Sequence, residues 1–208
     1  MNLIDYGFIP TMLYSLDIPR ADVSCIPARV TAVYKERYEL VCEYGQTFGR
    51  LKTGVYFTNG GESFPTTGDF VLITFNTSGD SQIMKTLPRR SFFSRRDPTP
   101  GRGEQAVAAN FDYVFIMQSL NFDFNLKRLE RYITLAWQSG AMPALILTKA
   151  DLVKDFSEQV RAAERVASGM GVYAVSVVTG AGLDALADYL KPRKTIVFLG
   201  SSGAGKSS

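Results

Sequence analysis

Apolar and polar positions alternate in short runs between about residues 22 and 88. Five such runs, Arg29 to Lys35, Tyr38 to Tyr44, Gln46 to Thr53, Asp69 to Asn76 and Ser81 to Leu87, are rich in Val, Tyr, Phe, Ile and Thr. The breaks between them hold Gly, Asn, Ser or Pro, so each run predicts a β-strand. In the second run, Tyr38, Leu40, Cys42 and Tyr44 fall on one face while Glu39, Val41 and Glu43 fall on the other, the pattern of a half-buried strand. Five short strands in so short a span suit a small Greek-key barrel of the OB type. Residues 1–21, with scattered aromatics and prolines, predict an arm that packs on another element.

From residue 111 the period changes. Phe111 to Gln118 predicts a strand, and Leu126, Leu129, Ile133, Ala136 and Trp137 fall at helical spacing before Gly140. Ala144 to Leu147 predicts a short buried strand. Asp155 and Glu158 form a capping box that opens a helix ending near Gly169. Val172 to Ser176 predicts a strand, Leu183 to Leu190 a helix stopped by Pro192, and Thr195 to Leu199 the last strand. Alternating β and α units imply a parallel sheet covered on both faces, with ligands outside the carboxyl ends of the strands. Residues 111–208 therefore form an α/β domain, separate from the barrel at 22–88.

The last strand runs into Gly200-Ser201-Ser202-Gly203-Ala204-Gly205-Lys206-Ser207-Ser208, which fits GxxxxGK[ST]. A buried strand leading into this pattern is a phosphate-binding loop. Its glycines let backbone N–H groups close on a phosphate, Lys206 supplies a point charge for the β- and γ-phosphates, and the Ser207 hydroxyl is placed to ligate Mg²⁺. The alternative, a Gly/Ser-rich turn or tail, leaves the preceding strand unexplained.

Composition narrows the chemistry. With 46% hydrophobic and 21% charged residues, the chain has a globular composition. No apolar run reaches the roughly 18 residues of a membrane span, so the expected location is the cytoplasm, away from membranes. There is no histidine and only Cys25 and Cys42, so neither a tetrahedral zinc site nor a disulfide framework is indicated, and the commonest general base is missing. The net charge of +3 is local: residues 89–104 carry +3, whereas 1–21 and 22–88 carry −1 each. Residues 89–110 hold five arginines with two prolines and two glycines and read as an exposed, mobile basic linker between domains. There Arg89, Arg90, Arg95 and Arg96, beside Phe92 and Phe93, are candidates to grip RNA phosphates and stack on bases; a solvated connector fits equally well.

Two further loops follow strand ends. Thr148-Lys149-Ala150-Asp151 resembles the NKxD base-reading motif of GTPases, in which the aspartate accepts from guanine N1–H and the 2-amino group while the lysine stem covers the ring. Ser176-Val177 resembles the SAx motif, whose backbone N–H reaches guanine O6. In ordinary GTPases the phosphate loop precedes these loops; here it follows them, so the domain looks circularly permuted.

A barrel, then LPRRSFFSRR, then AANFDYVFIMQSLNFDFNLKRLERYITLAWQSG, then TKADL and FLGSSGAGKSS resembles the ribosome small-subunit-dependent GTPase A family (RsgA, also YjeQ) over about residues 29–208. The resemblance implies a multidomain fold: an OB-type five-stranded barrel, then a circularly permuted P-loop GTPase domain that stops here at its phosphate loop. It implies a bacterial GTPase of late small-subunit maturation, monomeric, with GTP or GDP and Mg²⁺ as ligands, and with the small ribosomal subunit and its rRNA as partners. Two departures stand out. Thr148 occupies the Asn position of the motif, and a hydroxyl offers one donor and less reach than an amide. No DxxG occurs in the 208 residues, and the Cys/His domain expected to carry Zn²⁺ lies outside them. The 208 residues alone are expected to bind nucleotide poorly and not to hydrolyse it, and no residue is assigned as catalytic. A competing reading makes the chain an RNA-docking module whose nucleotide loop only senses state. An ATP-dependent kinase or ATPase fits the phosphate loop alone, and Asp151 argues against it.

Overall fold

The computed structural model describes residues 2–13, 25–58, 63–96 and 104–207, except for the side chains of 57–58, 95–96 and 104–105. The chain divides into two compact units, residues 1–110 and 111–208.

In the first unit, β1 (Cys25–Val33), β2 (Tyr38–Cys42), β3 (Gly45–Leu51), β4 (Phe70–Thr74) and β5 (Ser81–Thr86) close into a barrel in the order β1-β2-β3-β5-β4. The β3–β5 pair is parallel and the other pairs are antiparallel. This is an OB-type barrel. Tyr38, Leu40 and Cys42 point into it beside Ala28, Val30, Val71, Ile73 and Ile83, as the alternation predicts. Tyr44 lies past the end of β2 and is exposed, its ring 4.7 Å from that of Phe75.

Val41, expected on the polar face with Glu39 and Glu43, is buried. The N-terminal segment covers it: Leu3 and Met12, each on a 3₁₀ turn (Leu3–Tyr6 and Pro10–Leu13), and Phe8 between the turns pack with Val41, Phe70, Leu72 and Leu87. This second core explains why β4 is apolar at successive positions, since one face of it looks into the barrel and the other into the arm. The rest of the predicted arm, 14–21, lies outside the described residues.

The basic stretch differs from the linker expected of it. Phe92–Arg96 (β6) and Glu104–Ala109 (β7) form an antiparallel ribbon within the first unit. Arg89 is turned inward. Its Nε and Nη2 reach the Asp69 carboxylate at 2.9 and 2.7 Å, and Asp69 is fully buried. Asp69 also accepts the Thr66 N–H at 2.8 Å, and Arg89 Nη2 donates to the Phe64 carbonyl at 2.8 Å. A guanidinium engaged in this way fastens the chain to the barrel. Arg90 is exposed, and its N–H donates to Asn110 Oδ1 at 3.0 Å. The Arg95 and Arg96 side chains lie outside the described residues.

The second unit is a parallel sheet in the order β10-β9-β8-β11, built from β8 (Tyr113–Ser119), β9 (Met142–Thr148), β10 (Gly171–Ala174) and β11 (Ile196–Gly200). Helices α1 (Leu126–Gln138) and α2 (Ser157–Val166) follow β8 and β9. Asn125 caps α1, its side chain accepting the Arg128 N–H at 3.0 Å. Alternate residues of β8 and β9 (Phe115, Met117, Ala144, Ile146) pack with Leu186 and Tyr189 of a 3₁₀ helix, Leu183–Tyr189. Asp155 accepts the Ser157 N–H at 3.0 Å, so it ends the loop before α2 instead of capping the helix as predicted. The helix runs from Ser157 and stops at Val166, short of Gly169.

Candidate functional site

The carboxyl ends of β8, β9, β10 and β11 lie along one edge of the sheet, because all four strands run the same way. Gly200 sits opposite Met117 in the β11–β8 ladder, and a Cβ there would lie 2.5 Å from the Met117 carbonyl oxygen. Only glycine lets the strand enter the loop at this spacing.

Beyond it, Gly203 (φ +76°) and Gly205 (φ +92°) are left-handed and wrap the backbone into a loop. Ala204 between them is fully buried, its methyl in the core with Phe115, Met117, Val175 and Leu186. Ser202 and Gly203 are exposed. Lys206 Nζ donates to the carbonyls of Gly200 (3.0 Å) and Ser201 (2.6 Å), closing the loop across its mouth. An ammonium has three protons, so one remains for a phosphate oxygen. Ser207 is exposed at the end of the loop. Ser208 lies outside the described residues.

The loop after β9 is tied directly to this one. Thr148 is buried, and its Oγ1 donates to the Ala204 carbonyl at 2.7 Å. The hydroxyl at the motif's Asn position is therefore long enough to hold the two loops together. Thr148→Val keeps the shape and removes the donor, leaving a buried carbonyl unpaired at a cost of about 1–3 kcal/mol. Urea unfolding of the second unit should show that loss, and unchanged stability would mean the bond contributes nothing.

Lys149 follows in a left-handed conformation (φ +60°), and the Ala150 N–H donates to the Val175 carbonyl at 3.1 Å. The next loop thus supports this one. Ser176 is buried, and its hydroxyl donates to Asp151 Oδ1 at 2.5 Å while accepting the Thr179 N–H at 3.2 Å. The hydroxyl fixes the direction of an otherwise exposed carboxylate. The Ser176 N–H is spent on the Ala181 carbonyl at 3.0 Å. Of the two residues predicted to read the base from this loop, Val177, 60% exposed, is the one whose amide remains for a ligand.

Thr148 to Asp151, Ser176 to Val177 and Gly200 to Ser207 are therefore joined at one end of the sheet, while Arg89 and Arg90 belong to the other unit. The donor set fits a nucleotide with Mg²⁺: exposed loop backbone, a lysine, a terminal serine hydroxyl and an oriented acceptor. Among the described residues, no group of three or more His, Cys, Asp or Glu side chains could hold a metal by itself, and no helix is long and apolar enough to cross a membrane.

Two features gave no signal in the sequence. Asp123, in the loop after β8, accepts from Ser201 Oγ at 3.1 Å. On the barrel, Arg37 and Arg50 both reach Asp80 (2.7 and 2.8 Å), and the Arg37 guanidinium lies 3.8 Å from the centre of the Phe48 ring. Arg50 and then Arg37 hold the Asp80 carboxyl below its usual range.

A barrel of OB order, followed by a parallel sheet in which the loops Thr148 to Asp151 and Ser176 to Val177 come ahead of the GxxxxGK[ST] loop, defines a circularly permuted GTPase fold. Two solved structures share it: YjeQ from Thermotoga maritima (TM-score 0.72, 23% identity, 88% of this chain and 63% of that one), and YloQ, described as a circularly permuted GTPase (TM-score 0.63, 21% identity, 90% and 64%). Residues 86–208 match the RsgA GTPase family, and the chain belongs to it. A Listeria monocytogenes protein named small ribosomal subunit biogenesis GTPase RsgA 1 is 49% identical over 180 residues, 86% of this chain and 50% of that protein. The RsgA 2 protein of Lactiplantibacillus plantarum is 37% identical over 210 residues, 100% and 58% respectively. The chain spans about half the length of the curated relatives it matches.

Proposed function

We propose that this chain binds GTP and GDP with Mg²⁺ and, within a protein of its relatives' length, hydrolyses GTP during late maturation of the small ribosomal subunit in the cytoplasm. The observation that carries the nucleotide half is the Thr148–Ala204 bond, which fastens the base-reading loop to the phosphate loop. The ribosomal half rests on the family and on the names of its relatives.

In this reading, the loop amides and Lys206 take the phosphates, and Asp151 takes guanine N1–H and the 2-amino group. The Val177 N–H takes O6, and the Lys149 stem covers the ring. Mg²⁺, held by the Ser207 hydroxyl and phosphate oxygens, would neutralise charge on the β- and γ-phosphates. No catalytic group is assigned. The barrel contacts rRNA. Its support is the exposed pair Arg37 and Arg50 gathered at Asp80, with Arg37 against the Phe48 ring and Tyr34, half-exposed, three positions before Arg37.

Co-sedimentation with purified small subunits tests both halves. Binding should weaken steeply between about 50 and 200 mM salt, because it depends on phosphate contacts, while GDP affinity changes little. GDP should compete for the nucleotide site far better than ADP. Equal competition by ADP would defeat the guanine reading. Pelleting that ignores the nucleotide state would favour a docking module alone.

A further inference from the structure

The loop between β8 and α1 carries one carboxylate that the nucleotide reading does not use. We propose that Asp123 is a positioning residue for the phosphate loop, acting through Ser201; the ligand side of this proposal rests on the nucleotide reading above. Asp123 Oδ2 accepts from Ser201 Oγ at 3.1 Å and from Arg128 Nη2 at 2.8 Å. Its main chain is fixed as well. The Asp123 carbonyl accepts from Gln118 Nε2 at 2.8 Å and from the Arg128 guanidinium, and Gln118 is buried at the end of β8. The Arg128 N–H is in turn held by the Asn125 cap of α1. The carboxylate is thus placed from the strand on one side and from the helix on the other.

An uncompensated negative charge beside a phosphate loop would repel its ligand. Arg128 supplies the compensation, and Lys149 adds a positive field from the base-reading loop. With Arg128 as the larger influence and Ser201 next, the carboxyl lies below its usual range, so it remains an acceptor at neutral pH.

The loop then has three fasteners: Asp123 on the Ser201 side chain, Lys206 on the Ser201 and Gly200 carbonyls, and Thr148 on the Ala204 carbonyl. The exposed stretch Ser202–Gly203 lies between them. Holding both sides of that stretch before ligand arrives reduces the ordering that binding must otherwise impose.

Hydrogen exchange on the ligand-free 208-residue chain tests the fastening without any nucleotide. The amides of Ser202 to Gly205 should exchange about fivefold faster in Ser201→Ala and in Asp123→Asn, with the double variant no faster than the worse single one, since the two residues form one link. Ser201→Ala leaves the Arg128–Asp123 pair intact, so a change confined to Asp123→Asn would mean that Asp123 only closes the β8–α1 loop, and would overturn the proposal. Unchanged or additive exchange would also overturn it. A second arm compares ligands: Ser201→Ala should weaken GDP about five- to tenfold and leave guanosine, which lacks phosphates, unaffected. Equal loss for both ligands would make the effect a general loosening and defeat the proposal. If the unaltered protein fails to prefer GDP over ADP, the guanine reading falls, while the exchange arm still decides whether Asp123 fastens the loop.

Discussion

Replacing Asp151 by Asn is expected to convert a site that prefers GTP into one that prefers XTP. A carboxylate can only accept, and guanine offers N1–H and the 2-amino group side by side. Ser176 donates to Asp151 Oδ1 and so holds the carboxylate in one orientation. In Asp151→Asn, the amide places an NH₂ donor against the guanine amino group. Two donors then oppose each other, at a cost of about 1–3 kcal/mol or more, roughly ten- to a hundredfold in affinity. Xanthine carries a carbonyl where guanine carries that amino group, and the same NH₂ becomes its partner. Competition binding with GTP and XTP reads the exchange directly. A variant that kept its GTP preference would detach Thr148 to Asp151 from base recognition, and with it the case for a guanine nucleotide over any other phosphate-loop ligand.

The second large effect is expected at Arg89, on stability and not on RNA. Asp69 is fully buried, and Arg89, itself mostly covered, is its charge partner. Arg89→Ala strands a carboxylate in the interior, a change that costs about 3–5 kcal/mol. Urea unfolding of the first unit should record that loss. Arg90→Gln, if Arg90 meets phosphate, should lower the salt slope of subunit binding by about one counterion. A loss below about 1 kcal/mol in Arg89→Ala would place the pair among ordinary surface ion pairs and leave Arg89 free to serve RNA.

The elements legible in the sequence are those whose signal is local. Tyr38, Leu40 and Cys42 alternate toward one core, and Leu129, Ile133 and Ala136 recur at helical spacing and are buried on α1. The phosphate loop is a single stretch in which each residue type has a chemical task. What escaped depends on partners distant in the chain. The ribbon of β6 and β7 exists because Phe92 pairs with Ala109 and Phe93 with Ala108, and arginine-rich sequence with Pro and Gly gives no hint of that pairing. The ion pair of Arg89 has no local mark because its partner lies twenty positions upstream. Val41 sits on a face that would be polar if the arm did not cover it. Asp123 belongs to no motif; only the approach of Ser201, 78 positions later, gives it a task.

The late position of β11 sets the order in which the second unit can assemble on a ribosome. Chains emerge amino end first, and β8, β9 and β10 with α1 and α2 can pair among themselves as they appear. The strand that completes β8 comes last: the Thr195 N–H that meets Asp112 Oδ2 lies 83 positions downstream of it. Throughout that interval β8 presents an unpaired edge, and Thr148 stands at the strand end without the carbonyl it will bind. The loop from Gly200 to Ser207 has no fixed place on the sheet until β11 docks. The segment before β11 must therefore fold on packing alone, and any help that a ligand of the glycine-rich loop gives to folding comes only after β11 has emerged.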